Sequence, residues 1–481
     1  MIKLHKLVFV RLTLRLRLSG QTLVGDIVEL RVLSKFAQTI LRGFIPFSVL
    51  MLLSVAPARA QTLEQALSTL VNDHPQVKSA VKVVASSREE ISKAAAAFLP
   101  TVNVTSDYGP EQIDNPAERA QADGKIWSRS KQSASLSVTQ NLFEGFGATS
   151  ATRTARLNKL VSESTLETTS QNTMMEGISA YIDVLRQIQL VELAAQNEET
   201  IQIQLNLEDE RVQKGSGIAV DVLQAKSRLQ LAKERRVRFE GDLENAFSRY
   251  TQVFNIAPDI DKMVEPIPKA DLLPDSLGAA VDIALAENPQ VLNSDRQVAV
   301  ARERKRTVRA ELYPRVDFVS TWNYEKHAGG TLGTRRDASF ILQANWDLFT
   351  GLTSRANIAQ ASFDYSASRD IYEFAVRKVI EGARISWQNL HTARERLKQL
   401  ENAVNIASEV FDSRKKLRAA GKETVINVLD AESEITNARI NFATASFAER
   451  ESVYALLLSM GRMVMGELES SAQGAGDTLP R

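Results

Sequence analysis

The chain has 481 residues, 44% of them hydrophobic, and it contains no cysteine. This composition excludes a disordered chain, a disulfide scaffold, a thiolate metal site and a lipid anchor on an N-terminal cysteine. Residues 1–60 carry nine Lys or Arg and two acidic residues, which leaves 50 basic against 56 acidic residues in the rest of the chain. That remainder is mildly acidic and has no basic block of the kind that binds nucleic acid.

The first predicted element is an export signal within residues 1–60. An apolar run, Phe44–Val55, follows Arg42, and the small-x-small segment Ala58–Ala60 precedes Gln61. The run is too short to cross a bilayer, and its ending suits signal peptidase. We therefore expect a cleaved signal peptide preceded by an unusually long N-terminal extension.

A helix and a β-hairpin are predicted next. The pattern of Thr62–Phe98 is helical, with an interruption at Pro75, and Pro100 ends it because a proline disfavours helical conformation in the residue before it. Polar and apolar residues then alternate over Thr101–Tyr108 and again over Ser133–Phe143. This period of two predicts a pair of strands, which we expect to be joined by a polar loop around GPEQIDNPAE.

Two helices of unequal length follow the hairpin. No proline occurs from Gly147 to Gln213, so a single helix of about 100 Å is expected at 1.5 Å per residue. Its apolar residues recur with steps of four and three, which is the spacing of a coiled coil. A second helix is predicted over Ile218–Phe254, and a proline-rich linker comes after it.

The second half of the chain repeats the first. NPQV at Asn288 corresponds to HPQV at His74, and DLFTG at Asp347 corresponds to NLFEG at Asn141. Such a duplication predicts two similar structural units. We divide the chain into a leader (1–60), a first repeat (61–260), a linker (261–275), a second repeat (276–463) and a polar C-terminal tail (464–481).

One face of both predicted hairpins is apolar. A β-ribbon on a soluble bundle would also alternate, but two matched hairpins on an exported chain, with aromatic residues toward the strand ends, favour a membrane barrel. The residues expected to face lipid are Val102, Val104, Tyr108, Leu136, Val138, Val316, Phe318, Trp322, Tyr324, Phe340, Leu342 and Trp346.

A membrane role for this chain requires several copies. No segment after the leader is long and apolar enough for a membrane helix, so a closed barrel is needed, and one chain supplies only four strands. Two chains would give eight strands, whose interior side chains nearly fill, whereas three would give twelve and leave a lumen. Conduction therefore favours a trimer.

Two helix-turn-helix stretches complete the pattern. They are RVQKGSGIAVDVLQA (211–225) and LRAAGKETVINVLDA (417–431). In each a glycine can close the first helix in the left-handed conformation, and Asp221 or Asn427 can cap the next one. Taken alone, they are ordinary turns between antiparallel helices.

Within the duplicated frame, the sequence resembles the TolC-like outer-membrane exit ducts of bacterial type I secretion and multidrug efflux systems. The resemblance covers Thr62 to about Met463 and rests on the duplication, on NLFEG and DLFTG, and on the motif R-x3-G-x5-D-V-L-x-A. The second copy of that motif departs from the pattern, with Leu417 in place of the Arg and Asn427 in place of the Asp.

The resemblance implies a mixed α+β membrane protein: a homotrimeric twelve-stranded outer-membrane barrel continued by a periplasmic tunnel of antiparallel helices. Its tip would dock a periplasmic adaptor and open when an inner-membrane pump engages. Asp430 matches a constriction residue of the family. The residues expected to form the docking tip are Arg211, Gly215, Asp221, Val222, Leu223 and Ala225, with Gly421, Asn427, Val428, Leu429 and Ala431 in the second copy.

The function expected from this resemblance is the exit duct of a type I protein secretion system, with an ABC transporter as the pump. The alternative is the outer-membrane component of an efflux pump driven by protons or by ATP, and a more distant one is a soluble periplasmic coiled-coil protein. No phosphate loop, catalytic triad or metal-ligand spacing appears, so we expect no enzyme, metal or cofactor. The expected partners are two further copies of the chain, the adaptor, the pump and outer-membrane lipid, with no nucleic acid.

Overall fold

The computed structural model of the chain describes residues 62–121, 123–268 and 272–465. The predicted signal peptide and most of the predicted tail lie outside these ranges. The helices within them are α1 (Leu63–Asp73), α2 (Pro75–Ala95), α3 (Pro116–Gln121), α4 (Gly147–Gln213), α5 (Ala219–Phe254), α6 (Leu277–Glu287), α7 (Pro289–Arg309), α8 (Thr353–Ala419) and α9 (Val425–Met460). The strands are β1 (Thr101–Ile113), β2 (Trp127–Glu144), β3 (Arg315–Lys326) and β4 (Thr334–Asn345).

Each repeat starts with two short helices separated by a proline. Thr62 caps α1 and Ser276 caps α6, because each hydroxyl accepts a hydrogen bond from a backbone N–H three residues further on. Pro75 and Pro289 then begin α2 and α7, where a missing N–H costs no helical hydrogen bond. The predicted interruption at Pro75 is therefore a break between two helices.

The long helices match in the two repeats. Helices α4 and α8 have 67 residues each, and α5 and α9 have 36 each. At 1.5 Å per residue, each long helix extends about 100 Å. Helix α4 packs along α5 and α8 packs along α9, so each repeat contributes one long helical hairpin. The predicted duplication and the mixed α+β class are confirmed.

The strands form an antiparallel sheet in the order β1-β2-β3-β4. The pair β2–β3 joins the two repeats, with Leu136 opposite Trp322. The predicted loop between β1 and β2 was too long: β1 continues to Ile113, and the short helix α3 follows it. The strand includes Pro110, which lies opposite Ser130 on β2.

The main core lies where the short helices α1 and α6 meet the long hairpins. Leu67, Tyr181 and Met460 are almost completely buried there. The predicted linker packs against this core, since the Tyr181 hydroxyl donates to the Val264 carbonyl at 2.8 Å and accepts from the Val264 N–H at 2.9 Å. None of the helices in the described ranges combines the length and apolarity that a bilayer crossing requires.

Candidate docking tip and membrane face

The two predicted turns end the long helices in the same way. Gly215 and Gly421 have φ angles of +78° and +73°, the left-handed region that glycine enters without steric cost. At the first turn the Ser216 N–H donates to the Arg211 carbonyl, and at the second the Lys422 N–H donates to the Leu417 carbonyl. Both ends are Schellman motifs, which satisfy carbonyls that a helix terminus leaves open.

The predicted caps of the following helices are wrong. Asp221 and Asn427 lie in the first turns of α5 and α9, and the capping positions are Ile218 and Thr424. Thr424 accepts from the Asn427 N–H at 3.4 Å, whereas Ile218 offers no side-chain acceptor. A carboxylate at the position of Asp221 still lies near the positive end of the helix dipole, so it stabilises the helix without capping it.

Five of the eleven predicted docking residues are buried within the chain itself. Several belong to a small apolar core between α4, α5 and α9, to which Ile201 and Leu205 also contribute. Their side chains therefore fix the shape of the tip. These five residues are Val222, Ala225, Val428, Leu429 and Ala431.

The remaining predicted residues lie at the surface or close to it. Leu223 is 65% exposed, while Asp221 and Asn427 are partly covered. Sequence reasoning missed Ile218 and Val220, which are 64% and 56% exposed beside Leu223. An available signal was their apolar character in a turn, where polar residues predominate. The first turn thus leaves three apolar side chains that are close in sequence exposed at the surface.

The buried carboxylate of Glu208 accepts hydrogen bonds from arginines at both turns. Glu208 is 1% exposed, and its side chain accepts hydrogen bonds from Arg211 at 2.7 Å and from Arg418 at 2.5 and 3.2 Å. Arg418 also donates to the Glu423 carbonyl at 3.0 Å. Position 417 lacks the arginine of the motif, but Arg418 follows it directly, and its side chain reaches Glu208 in the first repeat. Sequence reasoning did not identify Glu208 or Arg418.

Asp430, the predicted gate residue, is also ion-paired. Arg228 on α5 donates to its carboxylate at 2.6 Å, and both side chains are about half exposed. A bare ring of carboxylates around an axis would repel itself, and a paired arginine reduces that repulsion. The pair thus links α5 to α9 at the predicted constriction.

A second buried carboxylate lies further from the turns, between α4 and α9. Glu432 is 6% exposed and accepts hydrogen bonds from Asn197 at 3.1 Å and from Thr436 at 3.3 Å. Burial raises the pKa of Glu432 above its ordinary value, and these two hydrogen bonds, with Arg439 and Lys415 nearby, offset only part of that rise.

All but one of the predicted lipid-facing residues share one face of the sheet. The register places Val102 opposite Val138, Val104 opposite Leu136, Leu136 opposite Trp322, and Phe318 opposite Leu342. Opposed residues point to the same side, and so do residues two apart along a strand. The exception, Trp346, follows the end of β4 and donates to the Leu312 carbonyl at 3.2 Å. We call this side, which carries the even-numbered residues of β3 and β4, the apolar face.

The opposite side of the sheet, the polar face, carries a row of hydrogen-bonded side chains. Ser135 donates to Asn323 at 2.7 Å, and Asn323 donates to Asp337 at 2.9 Å. Ser133 donates to Asp107 at 3.0 Å on the neighbouring strands. A sheet with one apolar and one polar face is typical of a membrane barrel whose strands contact lipid on one side and water on the other.

The profile of one protein family, described as outer membrane efflux protein, matches residues 66–254 and 280–462. The outer membrane efflux protein BepC of Brucella suis is 25% identical over 415 residues, which cover 85% of this chain and 88% of BepC. The alkaline protease secretion protein AprF of Pseudomonas aeruginosa is 25% identical over 414 residues, which cover 83% of this chain and 85% of AprF.

Among solved structures, the CmeC outer membrane channel of Campylobacter jejuni has a similar fold. The two chains superpose with a TM-score of 0.73 at 12% identity, over 86% of this chain and 88% of CmeC. At this identity the similarity concerns the fold alone.

Proposed function

Since the chain belongs to the outer membrane efflux protein family, we propose that three copies of it form the exit duct of a type I protein secretion system. The family consists of outer-membrane channel proteins. The observation that carries the proposal is the continuity of the two-faced sheet with helices of about 100 Å, long enough to extend from a membrane deep into the periplasm. The duct is passive, and a periplasmic adaptor and an inner-membrane ABC transporter engage its tip.

The edges of the sheet support assembly with further copies. Among the described residues, β1 and β4 each pair on one side only. Strand β2 pairs on both sides and continues to Glu144, whereas β4 ends at Asn345, before the residues that correspond to Asn141–Glu144. A neighbour's β1 beside β4 would supply the missing pairing, and twelve strands would close around a lumen.

The junctions between sheet and helix support the same conclusion. A Cβ atom on Gly145 would lie 2.6 Å from the Ala310 carbonyl oxygen, so the first junction packs tightly against the second repeat. Gly351 is the corresponding residue, with nearly the same φ, and nothing lies within 4 Å of its Cβ position. In a closed ring of repeats, the segment around Ala96 of a neighbouring copy would occupy that space.

The helices next to the sheet show a matching asymmetry. Helices α4 and α7 pack together within the chain, while α2 and α8 lie at the two ends of the row α2-α4-α7-α8. Val83 on α2 is 53% exposed, and Phe363 and Phe374 on α8 are 74% and 63% exposed. Contact between α2 of one copy and α8 of the next would bury these side chains.

At the tip, the exposed apolar residues Ile218, Val220 and Leu223 provide a docking surface for the adaptor. The ion pairs Glu208–Arg418 and Asp430–Arg228 hold the two helical hairpins of one copy together at this end. Opening of the tip requires these hairpins to separate, so both pairs must break or rearrange when the pump engages.

An efflux role is the second candidate, because the similarity to BepC is as high as the similarity to AprF. Deletion of the gene from its own bacterium distinguishes the two. Secretion predicts that a protein disappears from the culture medium while drug susceptibility is unchanged. Increased drug susceptibility with a normal set of secreted proteins would contradict the secretion role and support efflux.

A further inference from the structure

The apolar face of the sheet carries a cation pair at one end. The strand residues on this face include no Asp or Glu, and their only charged residues are Lys326 and Arg336. The polar face is mixed, with acidic residues such as Asp107 and Asp337 as well as basic ones. Two cations without a counter-charge are unusual on a surface that otherwise suits hydrocarbon.

The two cations are neighbours. Lys326 lies opposite Thr334 and Tyr324 lies opposite Arg336, so Lys326 and Arg336 are diagonal neighbours on β3 and β4. The Arg336 guanidinium lies over the Tyr324 ring, 5.6 Å from its centroid, which fixes the cation on the sheet. Among the described residues, the ion pairs on β3 and β4 are Arg315–Asp317 and Arg335–Asp337, and neither involves Lys326 or Arg336.

An open depression of about 690 Å³, lined mainly by apolar side chains, lies beside Arg336. Its lining includes the small residues Ala134 and Ala338, the polar residues Ser135, Asn323 and Asp337, and larger apolar side chains. These larger residues are Val104, Leu136, Trp322 and Tyr324. The size and apolar lining of the depression suit part of an acyl chain, and the adjacent cations suit a phosphate.

We propose that Lys326, Arg336 and this depression bind a phosphorylated lipid of the external leaflet, with the phosphate on the two cations and an acyl chain in the depression. The inference rests on the proposed function, in which the apolar face contacts lipid. The β3–β4 turn lies at the end of the sheet that is remote from the helices. Because the helices extend into the periplasm in the proposed channel, that end of the sheet faces the cell exterior. Charge complementarity therefore selects an anionic lipid of the outer leaflet.

The test uses the full-length channel purified in detergent and a bisphosphorylated, acylated glucosamine disaccharide as the lipid probe. Binding is measured by native mass spectrometry for the wild type and for the double variant Lys326→Gln, Arg336→Gln. The matched control is Lys131→Gln, Arg335→Gln, which removes two cations from the polar face. We expect the apolar-face variant to bind the probe at least about tenfold more weakly, because it loses the charge-assisted hydrogen bonds to the phosphates. The control should bind like the wild type.

Two outcomes overturn the proposal: equal binding of the probe by the apolar-face variant, or equally tight binding of the same disaccharide without its phosphates. Insertion into planar bilayers is measured on the same samples. If the wild type inserts and conducts while either outcome is found, only the lipid site is wrong. If the wild type does not insert, the proposed function fails and the lipid site fails with it.

Discussion

The single residue on which the tip depends most is Arg418, because it spans the two repeats to reach the buried Glu208. Breaking a buried ion pair by removing one partner is strongly destabilising, although Arg211 remains beside Glu208 and reduces the loss. We predict that Arg418→Met lowers the local stability of the tip by about 3 kcal/mol, at the lower end for such pairs. Amide exchange at the two turns should then become about 100-fold faster.

Hydrogen exchange of the purified channel measures this effect. The control is Lys214→Met, which breaks an exposed pair with Glu210 near the same turn and should change exchange little. Equal exchange in the two variants would contradict the role assigned to Arg418.

Glu432 gives a prediction about pH. Its pKa is raised by burial, so its contribution to stability is complete below the ordinary value of 4.5 and is lost as the pH rises through the higher value of the folded state. We predict that Glu432→Gln keeps the hydrogen bonds from Asn197 and Thr436, and that it unfolds at a higher temperature than the wild type at neutral pH. The difference should shrink toward pH 4. A lower melting temperature at neutral pH would show that the charged form is the stabilising one.

These residues also mark the limit of sequence reasoning. The glycines of the turns were predictable because a helix end in the left-handed conformation selects glycine. The pair Glu208–Arg418 was not, because it joins residues 210 positions apart, and only the packing of α4 against the second repeat makes them neighbours. The burial of Val428 and Leu429 could not be predicted either, because it also depends on packing between the two repeats.

At the scale of elements, the junction between sheet and helix gives the sharpest prediction. Gly145→Ala and Gly351→Ala share the cost of a left-handed alanine, about 1–2 kcal/mol, but only Gly145 meets atoms of its own chain. In the proposed trimer a neighbouring copy occupies the space beside Gly351, so we predict that both variants lower the dissociation temperature of the assembled channel by similar amounts. The temperature is read from heat-dependent migration on gels.

The control is Gly421→Ala, whose φ is also positive and whose Cβ position is open. This variant should show only the energetic cost of an alanine in the left-handed conformation. If Gly351→Ala behaves like Gly421→Ala, no copy packs at the junction.

Helices and strands were the elements that sequence predicted well. Long proline-free runs and the period of two determine them locally, and the observed bounds of α4 agree with the prediction. The β1–β2 connection was predicted poorly because proline and glycine at residues 109–110 indicate a loop, whereas pairing with β2 keeps this edge segment extended.

At the scale of the whole molecule, the duplication predicts which residues would meet between neighbouring copies of the proposed trimer. Arg296 on α7 donates to the Leu160 carbonyl at 2.8 Å and to the Ser164 hydroxyl. In the other repeat, Arg296 corresponds to Lys82 on α2. Leu160 and Ser164 correspond to Ser366 and Asp370 on α8. Both Lys82 and Asp370 are exposed in one copy. We therefore predict an ion pair between Lys82 of one copy and Asp370 of its neighbour in the proposed trimer.

The most direct test of a closed trimer is crosslinking. Because the sequence contains no cysteine, only the introduced cysteines can react. Asn293 donates to Thr165 at 3.0 Å within the chain. In the other repeat, Asn293 corresponds to Ser79 on α2, and Thr165 corresponds to Ile371 on α8. We predict that Ser79→Cys with Ile371→Cys, treated with a short bismaleimide, gives covalent trimers and nothing larger. The control, Asn293→Cys with Thr165→Cys, should crosslink only within one chain. If the first pair stays monomeric, or stops at dimers under conditions in which the control reacts fully, the trimeric duct is contradicted.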